Sequence, residues 1–511
     1  MPSLTLDSVH TAALLACLLA ACAVVVWRKQ LVRTLRDFFL ELGSPWALGA
    51  LRVVVFSHLS GQLGEAAAIV ARPSAIRELP YGWGWLRDVV PFDPAVASAA
   101  ELTLFVTSAC AVVGLLTRVT APLAAVLAVY VLGLPNFYLK IDHSSQVIVL
   151  SALIVSVSPC ADALSVDALY RRFRGVAVPG PSLAYALPIR FCWLLLGTAY
   201  LFPGVWKLWD TGDLWISGVQ LQSLLYLAWG RGSIEPLARI DQVPWLLSFF
   251  GTATLVFEIG FIFAIFWRPS RVVAAFSAVL FHWGVFQMMG IRIHTRFPLI
   301  LLIDLPGLPD ALGRWFPSWA PRLAAVQAEL SRRAQGVAAR LRLPEAVRTV
   351  PRRALAPAVV VGSLLFGGQV LAGAAQVDSW PISVYPRFTV RRPEPTTRAN
   401  RTRVMLVHED GTEQDLVDTL EGLGGGRLTR LMLRIQKVDR NYRVLAEESR
   451  TLIRLFRSNG ADIDAGDRIE IRKETWSIFP LSNKANFRSR TLGSYEVTAN
   501  DKLKKVAPQQ P

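Results

Sequence analysis

The sequence is poor in charged residues for its length. Asp, Glu, Lys and Arg make up 18% of its 511 residues, whereas an average soluble protein carries about a quarter. Hydrophobic residues make up 53% of the chain, and most of them are gathered into long apolar runs. This pattern argues against a single soluble domain and is typical of a membrane protein with several spanning helices.

Cysteine is scarce as well, and its placement argues against two kinds of site. The five cysteines all lie within or beside apolar runs: Cys17, Cys22, Cys110, Cys160 and Cys192. No C-x-x-C pair occurs, and the hydrophilic C-terminal part contains no cysteine. We therefore expect neither a metal site nor a disulfide framework, and we interpret each cysteine as structural.

Negative charge is also in short supply, because the formal net charge is +16. An excess of this size raises nucleic-acid binding as an alternative. The basic residues lie between the apolar runs, however, which is where membrane proteins carry the positive charges of their cytoplasmic loops. Many of the 16 Trp residues lie near run ends, as in an interfacial aromatic belt. We therefore expect the lipid bilayer as a partner and no nucleic acid.

The apolar runs predict about nine or ten membrane crossings. The first run, residues 11–27, is followed by Arg28 and Lys29. Because a cleaved signal peptide carries its charges before the run, we interpret this run as an uncleaved anchor with its N-terminus outside. A short amphipathic interfacial helix is predicted at 29–42. Further spans are predicted at roughly 45–70, 95–117, 119–134, 145–159, 188–206, 244–267, 271–289, 297–304 and 355–377. The run at 297–304 is too short to cross alone, so a re-entrant piece and an extension by its neighbours both stay open.

The distribution of positive charge predicts the orientation of these spans. Starting from an outside N-terminus, the threading places four basic clusters in the cytoplasm, at residues 28–36, 171–174, 268–271 and 313–353. All four lie on one side, as the positive-inside rule requires. The loop at 135–144 and the start of the loop at 207–243 then lie outside. The last span delivers residues 378–511 to the outside as well.

The fold class predicted here is an all-α polytopic membrane bundle with a small extracytoplasmic α+β domain at its C-terminal end. Apolar and polar residues alternate at 403–408, before Asp410 and Gly411, and again at 467–473, which predicts strands. The segment 413–459 has helical periodicity. The predicted parts are 1–44 (anchor and interfacial helix), 45–305 (transmembrane domain), 306–354 (basic cytoplasmic linker), 355–377 (last transmembrane helix) and 378–511 (soluble domain).

Ionisable residues inside predicted spans are candidates for function, because the bilayer makes them costly. They are Arg52, Glu65, Arg190, Glu258 and His282. We interpret Arg52 first as a structural partner between helices, and His282 as either a packed, hydrogen-bonded ring or a functional residue. Arg190 and Glu258 are predicted to be buried between helices and paired with polar groups, with each other as one option.

A second group of charged residues lies at the predicted external edges: Lys140, Asp142, His143, Lys207 and Asp210. Lys140 and Asp210 are interpreted as side chains that reach toward the interface. Lys207 follows an apolar helix and is flanked by Trp206, Leu208 and Trp209. It is either an interfacial anchor or an amine held in an apolar pocket, where desolvation disfavours the ammonium form and yields a usable base.

Three segments, taken in order, carry a resemblance to a known family. Residues 142–169 match a helix and its following loop. Residues 189–218 contain a Gly-x-x-Lys-Leu element followed by an acidic residue and a Trp, and residues 255–291 place a His near Met-Gly-Ile. In these segments the chain resembles the vitamin K-dependent gamma-carboxylase and its bacterial relatives, the HTTM (horizontally transferred transmembrane) domain proteins. The resemblance covers about residues 35–305, together with the element SWPISVYPRF at 379–388.

The resemblance implies a set of site residues. Lys207 matches the family's base, which deprotonates vitamin K hydroquinone, so that its reaction with oxygen yields a strong base for carboxylation of a peptide Glu. His143 and His282 match two further family histidines. Two departures are evident: Asp142 stands where the carboxylase has Asn, and Trp206 stands where it has a second Lys. Vitamin K or menaquinone hydroquinone is the cofactor that the resemblance implies.

Three classes of function stay open on this sequence. The first is a quinol-dependent epoxidase or carboxylase of the bacterial inner membrane, which needs Lys207 and His143 in one pocket. The second is a non-enzymatic HTTM membrane protein that matures or exports a secreted peptide or protein partner, which needs neither residue. The third is a transporter, although the broken, paired helices of an inverted repeat are not evident.

Overall fold

The computed structural model describes the chain outside residues 1–27, 62, 65, 72–79, 81, 83–89, 138–140, 142, 231–235, 292–316, 320, 323, 326–327, 330–331, 333–346, 349, 352–353, 385–397, 417–449, 451–452, 455, 458–459, 479–485 and 508–511. The predicted spans at 11–27 and 297–304, and the residues Glu65, Lys140 and Asp142, lie outside the described residues. So does most of the helical segment predicted at 413–459.

The helical part of the described chain consists mainly of twelve helices. They are α1 (28–40), α2 (Pro45–Ser60), α3 (Ala66–Val70), α4 (Pro94–Val113), α5 (Thr117–Val131), α6 (Gln146–Ser156), α7 (Val166–Phe173), α8 (Leu183–Ile216), α9 (Val219–Gly230), α10 (Pro244–Ala264), α11 (Arg268–Met289) and α12 (Ala356–Ala374). Among the described residues, six helical stretches are long and apolar enough to cross a membrane: Pro94–Val113, Thr117–Phe137, Leu183–Ile216, Pro244–Ala264, Ser270–Met289 and Ala356–Ala374. The described part of the chain is thus mostly helical, as the sequence predicts, and these six helices are candidate membrane spans.

Local sequence signals set the ends of several of these helices. The Asp93 carboxylate caps α4 by accepting hydrogen bonds from the backbone N–H groups of Ala95 and Val96, and Pro94 occupies the first helical position. Gly114 ends the same helix with φ +74°. A residue with a side chain is strained in this left-handed conformation, whereas glycine adopts it freely.

The central helix is α8, which packs against α2, α6, α10 and α12. Its 34 residues correspond to roughly 50 Å at 1.5 Å per residue, which is longer than the apolar core of a bilayer. The helix is kinked at Thr211, where φ is −147°. Because the whole helix is longer than the apolar core of a bilayer, the turns beyond Thr211 can extend past that core. Helix α9 begins three residues after the end of α8.

The predicted span at 145–159 crosses the bundle, although its regular helix, α6, has only 11 residues. At its start, Gln146 Nε2 donates a hydrogen bond to the carbonyl oxygen of Ser379, which follows α12. At its end, Cys160 shares a cavity with Pro351, which precedes α12. Because α6 is buried among other helices along nearly its whole length, it needs no lipid-spanning length of its own.

These contacts define two ends of the bundle. The Trp380 end comprises Ser379 and Trp380 with the helix ends that they contact; Trp380 is buried and its Nε1 donates to the carbonyl oxygen of Val129 at 3.0 Å. The Arg171 end comprises Arg171 and the segment before α12. β1 (Val178–Pro179), which is close to Arg171 in sequence, pairs in parallel with β2 (Val347–Arg348).

The C-terminal part contains a five-stranded antiparallel sheet. Its strands are β3 (Arg398–Val407), β4 (Glu413–Asp415), β5 (Arg468–Ser477), β6 (Arg488–Val497) and β7 (Leu503–Val506), in the order β4-β3-β5-β6-β7. The strands predicted at 403–408 and 467–473 are confirmed as parts of β3 and β5. Residues 413–415 form a strand instead of the start of a helix, because they return to pair with β3 after a turn in which Gly411 has φ +85°. Hydrogen bonds from Arg472 lower the pKa of the Glu413 carboxyl and fasten β4 to β5.

The sheet packs against helix α9 of the helical bundle. Trp476 and Ile478, at the end of β5, form a buried apolar cluster with Leu225, Tyr226 and Trp229 of α9. Since α9 follows the far end of α8, the sheet and the end of α8 lie together.

Candidate functional site

The predicted base Lys207 is buried in an ion pair between two helices. It lies on α8 with 3% of its surface exposed, and Glu258 on α10 is 5% exposed. Lys207 Nζ donates a hydrogen bond to Glu258 Oε1. The amine also lies 5.1 Å from the ring centroid of Trp215, within the range of a cation–π contact. Lys207 is therefore a buried amine with two partners, and not an exposed interfacial anchor.

Two glycines allow α8 and α10 to approach closely enough for this pair. A Cβ atom at Gly204, three residues before Lys207, would lie 2.8 Å from the Glu258 Cβ and 3.1 Å from the Ile259 backbone nitrogen. A Cβ at Gly197 would lie 2.9 Å from the Ile262 side chain. Small residues at such positions let membrane helices pack backbone to backbone. The glycine of the Gly-x-x-Lys element thus has a packing role that positions the lysine.

Two buried polar atoms next to Lys207 have no hydrogen-bond partner within the part of the chain that the structure describes. They are Glu258 Oε2, an acceptor, and Trp215 Nε1, a donor. Buried polar atoms are nearly always satisfied, and both residues contact Lys207 directly. One acceptor and one donor without a partner among the described residues thus lie beside the Lys207 amine.

Arg190 and Glu258 are both buried and paired, as predicted, but they do not pair with each other. Arg190 is 6% exposed, and its NH2 donates to the Glu41 backbone oxygen at 2.6 Å and lies 3.9 Å from Glu41 Oε2. Arg190 and Lys207 are 17 residues apart on α8, roughly 25 Å along the helix axis. A single carboxylate on α10 can reach one of them, and Glu258 reaches Lys207.

His282 is a packed, hydrogen-bonded ring on α11. Its Nε2 lies 2.6 Å from the hydroxyl of Tyr200 on α8. Tyr200 packs against the rings of Phe257 and Phe261, with centroids 5.1 and 4.5 Å apart. Because Tyr200 precedes Lys207 by two helical turns, His282 lies at a different depth of the bundle, roughly 10 Å along α8. Sequence reasoning missed Tyr200, whose only signal is its seven-residue spacing from Lys207.

His143 lies just before α6, at the Trp380 end. Its Nδ1 is 3.0 Å from Gln146 Oε1, and its Nε2 is 3.6 Å from Asp378 Oδ1. Lys207 lies toward the same end, because its neighbour Trp206 donates a hydrogen bond of 2.9 Å to the carbonyl oxygen of Gly373, at the end of α12. The sequence predicts that Lys207 and His143 lie at one end of the bundle, and the structure places both toward the Trp380 end. His143 is held there by Gln146 and Asp378, and Lys207 is placed there by the contact of Trp206 with Gly373.

Arg52 has the structural role that the sequence predicted. It is fully buried on α2, and its guanidinium donates hydrogen bonds to the carbonyl oxygens of Cys160 at 2.9 Å, Val112 at 3.3 Å and Ala163 at 3.4 Å, and to that of Leu164. Its partners are backbone carbonyls and not an acidic side chain. Arg52 thereby ties α2 and the end of α4 to the loop that follows α6.

The HTTM domain family model matches residues 79–306 of the chain. No curated protein and no solved structure matches the chain. The matched region includes His143, Lys207, Glu258 and His282, and it ends before α12 and the C-terminal sheet.

Proposed function

We propose that this chain, a membrane protein with an HTTM domain at residues 79–306, transfers a proton from a quinol at the buried pair of Lys207 and Glu258. The observation that carries the proposal is the pair itself, which two facing helices hold away from solvent. Buried ionisable groups inside a membrane bundle are functional candidates. The resemblance to the gamma-carboxylase adds the substrate class, vitamin K or menaquinone hydroquinone.

The pair offers a way to keep a lysine ready as a base. An amine accepts a proton only after it has given up its own, and Glu258 is in direct hydrogen-bond contact with Lys207. The net charge of the pair is the same whether the shared proton lies on the amine or on the carboxyl group. With the proton on Glu258, the Lys207 amine can accept one from a bound hydroxyl group.

The two unsatisfied atoms beside Lys207 match the hydrogen-bonding groups of a quinol hydroxyl. A ring hydroxyl can donate to Glu258 Oε2 or accept from Trp215 Nε1, which are the two unpartnered polar atoms among the described residues here. The quinol, when bound, would supply the electrons for reaction with oxygen. The protein's part is to orient the ring hydroxyl, to exclude water and to remove the proton.

We predict that the purified protein forms epoxide from menaquinol or vitamin K hydroquinone under oxygen, and that Lys207→Ala lowers the rate by about 10²- to 10⁴-fold, the usual contribution of a positioned base. Epoxide is measured by chromatography. A small added amine should restore part of the rate in Lys207→Ala. Arg190→Ala, which removes another buried cation from α8, is the control and should keep the activity of whatever fraction remains folded. Equal loss in both variants would show that the lysine acts through stability alone.

The alternative is a non-enzymatic HTTM protein that matures or exports a secreted partner. One observation favours it: Lys207 already has a carboxylate partner, so the pair can serve to join α8 and α10 and do nothing else. Absence of epoxide from the folded wild-type protein with either quinol would support this alternative.

We further infer that the Trp380 end and the C-terminal sheet face the outside of a bacterial inner membrane. Arg171, Arg172 and Arg174 cluster at the opposite end, and such clusters are typical of the cytoplasmic side. A reporter that is active only in the cytoplasm, fused after residue 511, should therefore be silent. A fusion after residue 175, next to this basic cluster, is the matched control and should be active. Activity of the fusion after residue 511 would contradict the orientation.

A further inference from the structure

A second polar site lies at the Arg171 end, far from Lys207 in the fold. It is a cavity of about 120 Å³ between the start of α5, the end of α6 and the segment before α12. Its lining residues include Thr117, Arg118, Ser158, Asp162, Arg171 and Pro351. The cavity thus combines hydroxyl groups and guanidinium groups with an apolar wall from the segment that leads into α12.

Thr117 is the residue that marks this cavity as a binding site. Only 2% of it is exposed, and within the described part of the chain its hydroxyl has no hydrogen-bond partner. The backbone N–H of Thr117 already donates to Asp167 Oδ2 at 2.8 Å. The hydroxyls of Ser156 and Ser158 donate to the carbonyl oxygens of Leu153 and Val155. The Thr117 hydroxyl is therefore a buried donor beside this cavity, without a partner among the described residues.

The charges around the cavity leave one guanidinium for an anion. The carboxylate in its lining, Asp162, accepts hydrogen bonds from Arg171 at 3.0 Å and from the Tyr185 hydroxyl at 2.7 Å. A second carboxylate beside Thr117, that of Asp167, accepts hydrogen bonds from the backbone N–H groups of Leu116 and Thr117. Arg118 lines the same cavity and has no ion-pair or hydrogen-bond partner among the described residues. A guanidinium beside a buried hydroxyl donor matches the oxygen atoms of a phosphate group, which accept several charge-assisted hydrogen bonds.

We propose that this cavity binds a phosphate ester through the Thr117 hydroxyl and the Arg118 guanidinium. The ester is either the headgroup of an anionic phospholipid or a soluble phosphate compound. The place of the cavity at the end of a membrane bundle is one where basic pockets between helices meet lipid headgroups. The site is independent of Lys207, so that its failure and the failure of the quinol site are separate results.

Two binding measurements on the purified full-length protein test the proposal. Calorimetric titration with inorganic phosphate probes a soluble ester, and native mass spectrometry from nanodiscs of phosphatidylglycerol or phosphatidylcholine probes a headgroup. Arg118→Gln is expected to weaken binding about tenfold and Thr117→Val about fivefold, in keeping with the loss of one charged and one neutral hydrogen bond. The control variants are Arg174→Gln, a basic residue of the same end, and Thr103→Val, whose hydroxyl donates to its own helix at Ala99.

The outcomes distinguish a soluble phosphate ester from a phospholipid headgroup, or they contradict the proposed phosphate site. Phosphate binding that depends on Thr117 and Arg118 supports a soluble ester, and retention of phosphatidylglycerol with the same dependence supports a headgroup. The proposal is overturned if neither probe binds, or if the Thr117 and Arg118 variants bind as well as the two controls do. Unfolding temperatures of all variants show whether each protein remains folded during the measurement.

Discussion

Lys207→Arg is expected to abolish quinol epoxidation while the protein stays folded. Arginine keeps the positive charge and can donate hydrogen bonds to Glu258 in place of the amine. It cannot act as a base, because a guanidinium is not deprotonated in proteins. The expected loss is about 10²- to 10⁴-fold in rate. The epoxide assay measures it, and the thermal unfolding midpoint shows that the charge pair still supports the fold.

The reverse exchange on the same helix is the matched control. Arg190→Lys replaces a buried cation of α8 that pairs with Glu41 instead of Glu258, and it should leave the epoxidation rate within about threefold of the wild-type rate, as for substitutions outside a reacting site. A Lys207→Arg protein with full activity would mean that the site needs a cation and not a base. Lys207 would then be a structural partner of Glu258, and the non-enzymatic alternative would gain support.

Much of the membrane fold can be predicted from the sequence because it follows from local chemistry. The apolar runs at 95–117, 244–267 and 355–377 correspond to α4, α10 and α12 within a few residues. Proline at the first helical turn and glycine at helix ends determine several boundaries. Two strands of the C-terminal sheet, β3 and β5, follow in part from the alternation at 403–408 and 467–473. All of these signals act over a few neighbouring residues.

The partner of Lys207 could not be predicted in this way. Glu258 is 51 residues from Lys207 in sequence, and Arg190 lies on the same helix as an equally charged competitor. The choice between them depends on the register of α8 against α10, which Gly197 and Gly204 set by letting Ile262 and the Ile259 backbone come close. Register between helices is a property of packing and not of periodicity.

Other parts of the site depended on the same kind of tertiary contact. Tyr200 is the hydrogen-bond partner of His282, but a tyrosine in an apolar helix is unremarkable in sequence. Trp206 joins α8 to the end of α12 through its hydrogen bond to Gly373. Among the described residues the Thr117 hydroxyl has no hydrogen-bond partner, which only the tertiary structure shows, whereas the hydroxyls of Ser156 and Ser158 bond to backbone carbonyls nearby in sequence.

A double-mutant cycle on Lys207 and Glu258 is expected to show strong coupling. Removing one partner leaves the other charge buried without compensation, which costs about 3–5 kcal/mol in buried pairs. Replacing both removes the unpaired charge as well. We therefore expect Lys207→Met and Glu258→Gln each to lower the free energy of unfolding by about 3 kcal/mol, and the double variant by much less than their sum.

The control cycle uses Arg457 and Asp501, an ion pair of 3.0 Å in the C-terminal part whose side chains are 40% and 33% exposed. Water screens such a pair, so its coupling should stay below about 1 kcal/mol. Unfolding is followed in detergent by denaturant titration, with the membrane helices and the sheet monitored separately. If the two single substitutions lowered the free energy of unfolding additively, the side chains of Lys207 and Glu258 would not interact energetically. The buried pair would then not hold α8 against α10, and the proposed base would lose the group that takes its proton.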